Sequence, residues 1–336
     1  MNIMNKNLPG ILLSAGITLL AYLLSPLIPG KILGETLFAL LLGMAFNPWV
    51  SRQESFDSGT RWTSKIILRA GIILAGITLS FSQVLQAGRY SLILMFFTLT
   101  TAFGVGYLCK KIFKINWKLA SLLSVSTAIC GGTAVATLGP TIRAKNRDIA
   151  YAISATFLFD LITVIAFPWI GQLMGLSDTG YGLWVGTAVN DTSSVVAAGY
   201  AFSDAAGLLA TIVKLTRTLF IVPVVLIFSW IIARKEPTST ETKKIRIQEI
   251  FPWFILGFLA VVGIRTTGIV PALWVERISF LSKFLLSMSL AAIGMNTSLQ
   301  EVKSVGMKPM VAGVIIDTSV VIVSLFAQAG ILRYLQ

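Results

Sequence analysis

The chain has 336 residues, 55% of them apolar and only 12% charged, about half the charged fraction of a soluble domain. That balance excludes a soluble single domain and a disordered chain. The net charge of +13 comes from 27 Lys and Arg against 14 Asp and Glu. It marks either an acidic partner such as nucleic acid or the loops that stay on one side of a membrane.

Nine apolar runs have the length that crosses a bilayer as a helix. They lie near 9–25, 32–49, 62–82, 89–109, 148–170, 206–233, 250–268, 278–298 and 307–332. No small-residue cleavage site stands out near the first run, so it reads as a retained helix. Two further stretches, near 118–140 and 181–201, are interrupted at their centres. The first carries Gly131-Gly132, the second Asn190-Asp191-Thr192-Ser193-Ser194. Seven of the eight Trp fall close to run ends, as in headgroup-level belts. Residues 234–249 form the clearly polar linker and are expected to be a cytoplasmic loop. The chain contains no His, and its two cysteines, Cys109 and Cys130, sit in apolar surroundings. A disulfide framework, a His-based metal site and a Ser-His-Asp triad are therefore excluded.

The basic residues choose between topologies. If all eleven segments cross, Arg143, Lys145 and Arg147 fall outside, against the positive-inside rule. If the interrupted stretches are re-entrant hairpins, those three return to the inside. Then 18 of the 27 basic residues share the side of the N-terminus and 6 lie opposite, with Arg69, Lys214 and Arg217 inside spans. No nucleic-acid partner is then needed to explain the charge.

Two internal similarities agree with this layout. SKIILRAGIILAGITLSFSQVLQAG (64–88) aligns with SKFLLSMSLAAIGMNTSLQEVKSVG (282–306), and LLSVSTAICGGTAVATLG (122–139) with GLWVGTAVNDTSSVVAAG (182–199). In the hairpin topology each pair runs in opposite directions. Inverted repeats with irregular backbone at the midplane are the architecture of many secondary transporters. The expected organisation is one integral membrane domain over 1–336, with an extra N-terminal helix over 1–30. The first repeat is read over 31–171 and the second over 178–336.

Irregular backbone at membrane depth is tolerated only against protein or a water-filled cavity, so the two interruptions are the candidate site. Cys130, Gly131, Gly132 and Thr133 form one tip; Asn190, Asp191, Thr192, Ser193 and Ser194 form the other. The helix beginning at each tip offers free N–H groups and a positive dipole end to an anion. Lys214 and Arg217 lie three apart on one helical face. They are read either as partners of Asp191 and Asp160 or as charges facing an anionic substrate. Asp160 and Asp191, with Asn296 and Thr297, are candidates for a coupling H⁺ or Na⁺, and Asp317 is a further intramembrane acid. The blander readings are an N-cap for Asp191, a structural ion pair for the cations, and a helix C-cap for Asn296–Thr297.

At STAICGGTAV, VNDTSSVVAAG and KLTR the sequence resembles the YeiH-type family, whose members carry the label sulfate exporter. The likeness extends to GIILAGITLSFSQV and AAIGMNTS, nearly the whole chain. The resemblance implies a bacterial inner-membrane secondary transporter, distantly related to the cation-antiporter and bile-acid-symporter class. That class also allows crossed broken helices in place of hairpins. The family pattern has His before the Asp of the second motif and Gln three residues after it. Here those positions are Asn190 and Ser194; Asn hydrogen-bonds but does not titrate.

The expectation is thus an all-α polytopic membrane protein with about nine crossing helices plus two re-entrant hairpins or broken helices. It is read as a non-enzymatic, cofactor-free secondary transporter of a small anion, such as sulfate or another sulfur-containing or carboxylated acid. Coupling to H⁺ or Na⁺, alternating access, a homodimer and a cytoplasmic N-terminus complete the expectation. The rivals are an ion channel and an intramembrane hydrolase built on Asp160 and Asp191.

Overall fold

The structure is a computed structural model that describes residues 3–25, 35–50, 53–235, 251–297 and 307–335. Most of the linker 234–249, together with Ser298 and Lys303, lies outside the described residues. The described chain is helical throughout, with no strand. Each of the nine predicted runs holds helix. The first four are α1 (Ile3–Leu24), α2 (Glu35–Val50), the continuous α3 (Glu54–Trp62), π-turn (Thr63–Ile67) and α4 (Leu68–Ala75), and α5 (Phe81–Phe113). After the first interrupted stretch come α8 (Asn146–Leu173) and, after the second, α11 (Asp204–Leu219) with α12 (Ile221–Lys235). The last three are α13 (Phe254–Thr266), α14 (Ala272–Met295) and α15 (Met307–Leu335). Among the described residues, six helical stretches are long and apolar enough to cross a membrane.

Both interrupted stretches fold back. The first is α6 (Trp117–Val125), a π-turn (Ser126–Cys130) and α7 (Gly132–Thr141). The Asn116 amide donates to Asp148 at the start of α8, and Ser126 meets Thr156 two turns further along. α6 therefore runs parallel to α8. α7 returns: Gly132 lies against Ile153 and Gly139 against Ile149. The Lys118 ammonium, at the entry of α6, donates to the Arg143 carbonyl just after α7. Both ends of the stretch thus sit at one end of the bundle.

The second stretch, α9 (Asp178–Ala188) and α10 (Thr192–Phe202), mirrors the first from the opposite end. Ser203, after α10, donates to Asp178 at the start of α9. Tyr181 stacks on Phe202 at 3.9 Å, and both rings lie against Gly171 near the end of α8. The tip at 190–191 reaches Asp160 midway along α8. One long helix is therefore the rod along which two hairpins approach tip to tip. This geometry selects hairpins over crossed broken helices.

The cause is local. Gly131 has φ +62 and ψ −133, a conformation open to glycine alone at low cost. In the second hairpin Val189 is extended after α9, and Asp191 caps α10 by accepting the Ser193 N–H. Pro140 lies inside α7 and a left-handed Arg143 follows it, which turns the chain into α8.

α5, α8, α11, α12 and α15 surround the hairpins. α1–α4, α13 and α14 form a second group, and α10 packs against α2 and α14 where the two groups meet. The repeat-matched α3–α4 and α14 run antiparallel: Thr60 bonds Asn296, and Ser282 bonds the Gly71 carbonyl. α2 crosses α14 at Gly43 and Gly294. A Cβ on Gly294 would stand 2.2 Å from the Leu40 carbonyl oxygen. Gly294→Ala is expected to lower stability by about 1–3 kcal/mol through overpacking. Gly104→Ala, at a position facing open space, is expected to be neutral. Thermal unfolding of the purified variants in detergent checks both.

Large apolar side chains on the outer surface, Phe96, Ile112, Leu173 and Phe326 among them, are more than two-thirds exposed. A lipid solvent rather than water explains that outward apolar face. Trp184 is the one Trp the sequence places away from a run end. It is buried, stacks on Phe167 at 4.4 Å and donates to the Val321 carbonyl.

Candidate functional site

Breaking a helix in an apolar interior exposes C-terminal carbonyls on one side of the break and N–H groups on the other. With no water to satisfy them, each orphan costs about 1–3 kcal/mol. The tips meet this cost with buried charges of matching sign. The Lys214 ammonium donates to the Ile129 carbonyl at 2.7 Å and the Val189 carbonyl at 3.3 Å. The Arg217 guanidinium donates to the carbonyls of Ala128 (2.7 Å), Thr187 (2.5 Å) and Val189 (3.1 Å). Two cations thus sit on the carbonyl ends of the first arm of each hairpin, where the helix dipole is negative. Both residues are completely buried.

The acids take the N–H side. Asp160 accepts from the backbone N–H of Asn190 and of Asp191, both at 2.9 Å. Asp317 accepts from the Thr127 hydroxyl at 2.5 Å and the Asn190 side-chain amide at 2.9 Å. Asp191 accepts from the Ser193 N–H and hydroxyl, so its capping role is realised.

Among the described residues, neither Lys214 nor Arg217 forms an ion pair with Asp160, Asp191 or Asp317. The ion pairs that do form, Arg61–Asp57 and Lys283–Asp204, lie on exposed side chains. The pairing considered from sequence is replaced by charge-to-dipole contacts, because each arm's carbonyl end lies nearer to α11 than the carboxylates do. Two polar atoms at the junction keep no partner: Arg217 Nη2 and Asn190 Oδ1.

The tips meet at Gly131. A Cβ there would lie 3.4 Å from the Asp191 nitrogen and 3.5 Å from Thr156, so the first tip packs directly on the second. Cys130 is a buried free thiol beneath them. Gly132 is half-buried and Thr133 exposed at the start of α7. Asp191, Thr192 and Ser194 are half-buried and Ser193 is buried at the start of α10. One side of the junction is closed by charge, and the other presents hydroxyls and helix N-termini to whatever enters. The structure brings Asn190 and Asp191 to Asp160, and Lys214 and Arg217 to the carbonyls at 128–129 and 187–189 just before the tips.

Asn296 and Thr297 go elsewhere. Asn296 is the C-cap of α14 and accepts from Thr60, while the Thr297 hydroxyl returns to Ile293. Among the described residues, no hydrogen bond joins them to a tip. Thr127, Thr156 and Ser126 were not singled out from sequence, yet they tie the first tip to α15 and α8. For Thr127, the match with Thr187 between the aligned stretches 122–139 and 182–199 was the available signal.

Residues 9–313 match the family described as conserved hypothetical protein 698. The chain belongs to this family. It is similar to a UPF0324 membrane protein of Clostridium tetani, 56% identical over 330 residues, covering 95% of this chain and 96% of the relative. It also resembles UPF0324 membrane proteins of Streptococcus pyogenes serotype M6, at 39% identity, and Streptococcus agalactiae serotype V, at 36%. The first covers 97% of this chain and 98% of the relative, the second 96% and 97%. The membership agrees with the YeiH-type resemblance at STAICGGTAV and VNDTSSVVAAG, and the relatives' names agree with a multi-pass membrane protein. In this family member both motifs lie at the tips, which the buried charges Lys214, Arg217, Asp160 and Asp317 contact.

Proposed function

We propose that the protein is a secondary transporter of a small anion. The observation that carries this reading is the meeting of two hairpins, entering from opposite ends, at a junction of buried charges. Such a junction can be opened to either side by moving the hairpin group against α1–α4, α13 and α14. Substrate binds at the N-termini of α7 and α10, through the N–H groups of Gly132 and Thr133 and the hydroxyls of Thr133, Thr192 and Ser194. Sulfate, sulfonates and small carboxylates fit that donor set. Lys214 and Arg217 supply positive potential from behind the tips while holding them in place. Asp191, half-buried beside the same donors, takes the coupling H⁺ or Na⁺, with Asp160 behind it. The working unit is a homodimer in the cytoplasmic membrane of a bacterium, with its N-terminus inside, and no chemical turnover is involved.

Two measurements test the reading. Reconstituted protein should take up its anion saturably and show counterflow; single-channel currents would overturn the transporter in favour of a channel. A thermal-shift screen of sulfate, alkyl sulfonates and di- and tricarboxylates, with and without Na⁺, identifies the substrate. Ligand at one hundred times its Kd stabilises by about 2.7 kcal/mol. Thr133→Ala and Asp191→Ala are expected to abolish that shift, and an unchanged shift in both moves the site away from the tips.

A further inference from the structure

The first hairpin opens at the end of the bundle where α5, α7 and α12 finish and α6 and α8 begin. Lys110, Lys111 and Lys114 stand at the end of α5, and Lys118 at the start of α6. Arg143 and Lys145 lie in the turn before α8, Arg147 lies in the first turn of α8, and Arg234 in the last turn of α12. The acid among these described residues is Asp148, which is buried and taken by the Asn116 amide. Lys110, Lys111, Lys114, Lys145 and Arg147 have no acidic partner within 4.0 Å among the described residues.

Aromatic rings interleave with the cations. Lys111 lies 4.7 Å from the Tyr107 ring centroid, Arg147 5.0 Å from Tyr151 and Arg234 3.8 Å from Trp230. Rings of this kind mark headgroup depth, so the charges lie at the level of lipid phosphates. The backbone adds a second, independent sign. Among the described residues, the non-glycine positions with left-handed φ are Lys114 (φ 53) and Arg143 (φ 52). Glycine is unstrained at such positions, yet a long cation stands at each.

We propose that this collar is a binding site for the headgroups of anionic phospholipids, which seat the mouth of the first hairpin in the membrane. The phosphate diester is the recognised group. Basic clusters at a membrane surface attract anionic lipid and lose that attraction as salt screens it.

The test is retention of phosphatidylglycerol against phosphatidylcholine by the full-length protein in neutral detergent, read by native mass spectrometry alongside thermal shift. Wild type is expected to prefer phosphatidylglycerol and to be stabilised by it, less so at 1 M salt. Lys114→Gly with Arg143→Gly relieves strain while deleting charge. It should melt no lower than wild type without lipid, yet lose its preference at least threefold. Lys110→Gln with Lys111→Gln, at the end of a helix, should act in the same direction. Arg89→Gln with Arg277→Gln, at the opposite end, should keep the preference. Equal stabilisation by phosphatidylcholine, or an undiminished preference in both collar variants, overturns the proposal. So does an equal shift with glycerol phosphate at matched concentration, which would make the collar a site for free anions.

Discussion

Arg217→Met is expected to cost about 3–5 kcal/mol of stability, an amount typical of breaking a buried charged contact. Arg217 is fully buried and donates to three carbonyls, those of Ala128, Thr187 and Val189. Methionine fills the volume but donates nothing. Lys214 still reaches Val189, so the carbonyls of Ala128 and Thr187 are the groups left facing an apolar wall. Two orphaned acceptors at about 1–3 kcal/mol each account for most of the loss. Arg217→Lys is expected to recover only part of it, because a single ammonium at that position does not reproduce the planar fork through which the guanidinium donates to three carbonyls at once. The measurement is thermal or denaturant unfolding in detergent followed by tryptophan fluorescence. A methionine variant within 1 kcal/mol of wild type would show that the tips do not depend on Arg217. If that variant kept its stability but lost anion binding, the residue would instead be a substrate ligand.

Asp160→Asn should cost about 2–4 kcal/mol and loosen the second tip in particular. Each carboxylate oxygen accepts one consecutive backbone N–H, from Asn190 and from Asp191. Bonds to a charged acceptor contribute about 1.5–3 kcal/mol each. Asparagine keeps one acceptor and turns an NH₂ group toward the other N–H. The second tip then keeps only one of its two bonds to α8, while the first keeps the Ser126–Thr156 contact. Hydrogen exchange separates these effects: protection should fall at 190–191 and persist at 126–131. Equal loss at both tips would mean that they open as one unit, and no loss at either would remove Asp160 from its positioning role.

These results bear on what was legible before folding. The spans were readable because length, hydropathy and Trp placement are properties of contiguous residues. The interruptions were readable because Gly131-Gly132 and Asn190-Asp191 cannot continue an apolar helix without a reason. The basic turn at Arg143, Lys145 and Arg147 pointed to hairpins, and the contacts of Asn116 with Asp148 and Ser203 with Asp178 bear that out. The separation of Asn296 and Thr297 from the tips could not be read. A polar cluster at a helix end has the same composition whether it binds an ion or caps the helix.

The sequence by itself determined a multi-pass helical membrane protein of this family, two broken segments, and which residues stand at the breaks. Each of these follows from local composition or from the spacing of identical residues. Only the tertiary structure decided the partners of the buried charges. Asp160, Lys214, Arg217 and Asp317 are distant in the chain, and sequence alone invites pairing opposite charges with one another. In the folded protein three of these charges go instead to severed helix ends, the cations to carbonyls and Asp160 to backbone N–H groups, while Asp317 takes the side chains of Thr127 and Asn190. The physical reason is that a broken helix in an apolar interior carries backbone groups that must be satisfied, and charged side chains are the strongest partners within reach.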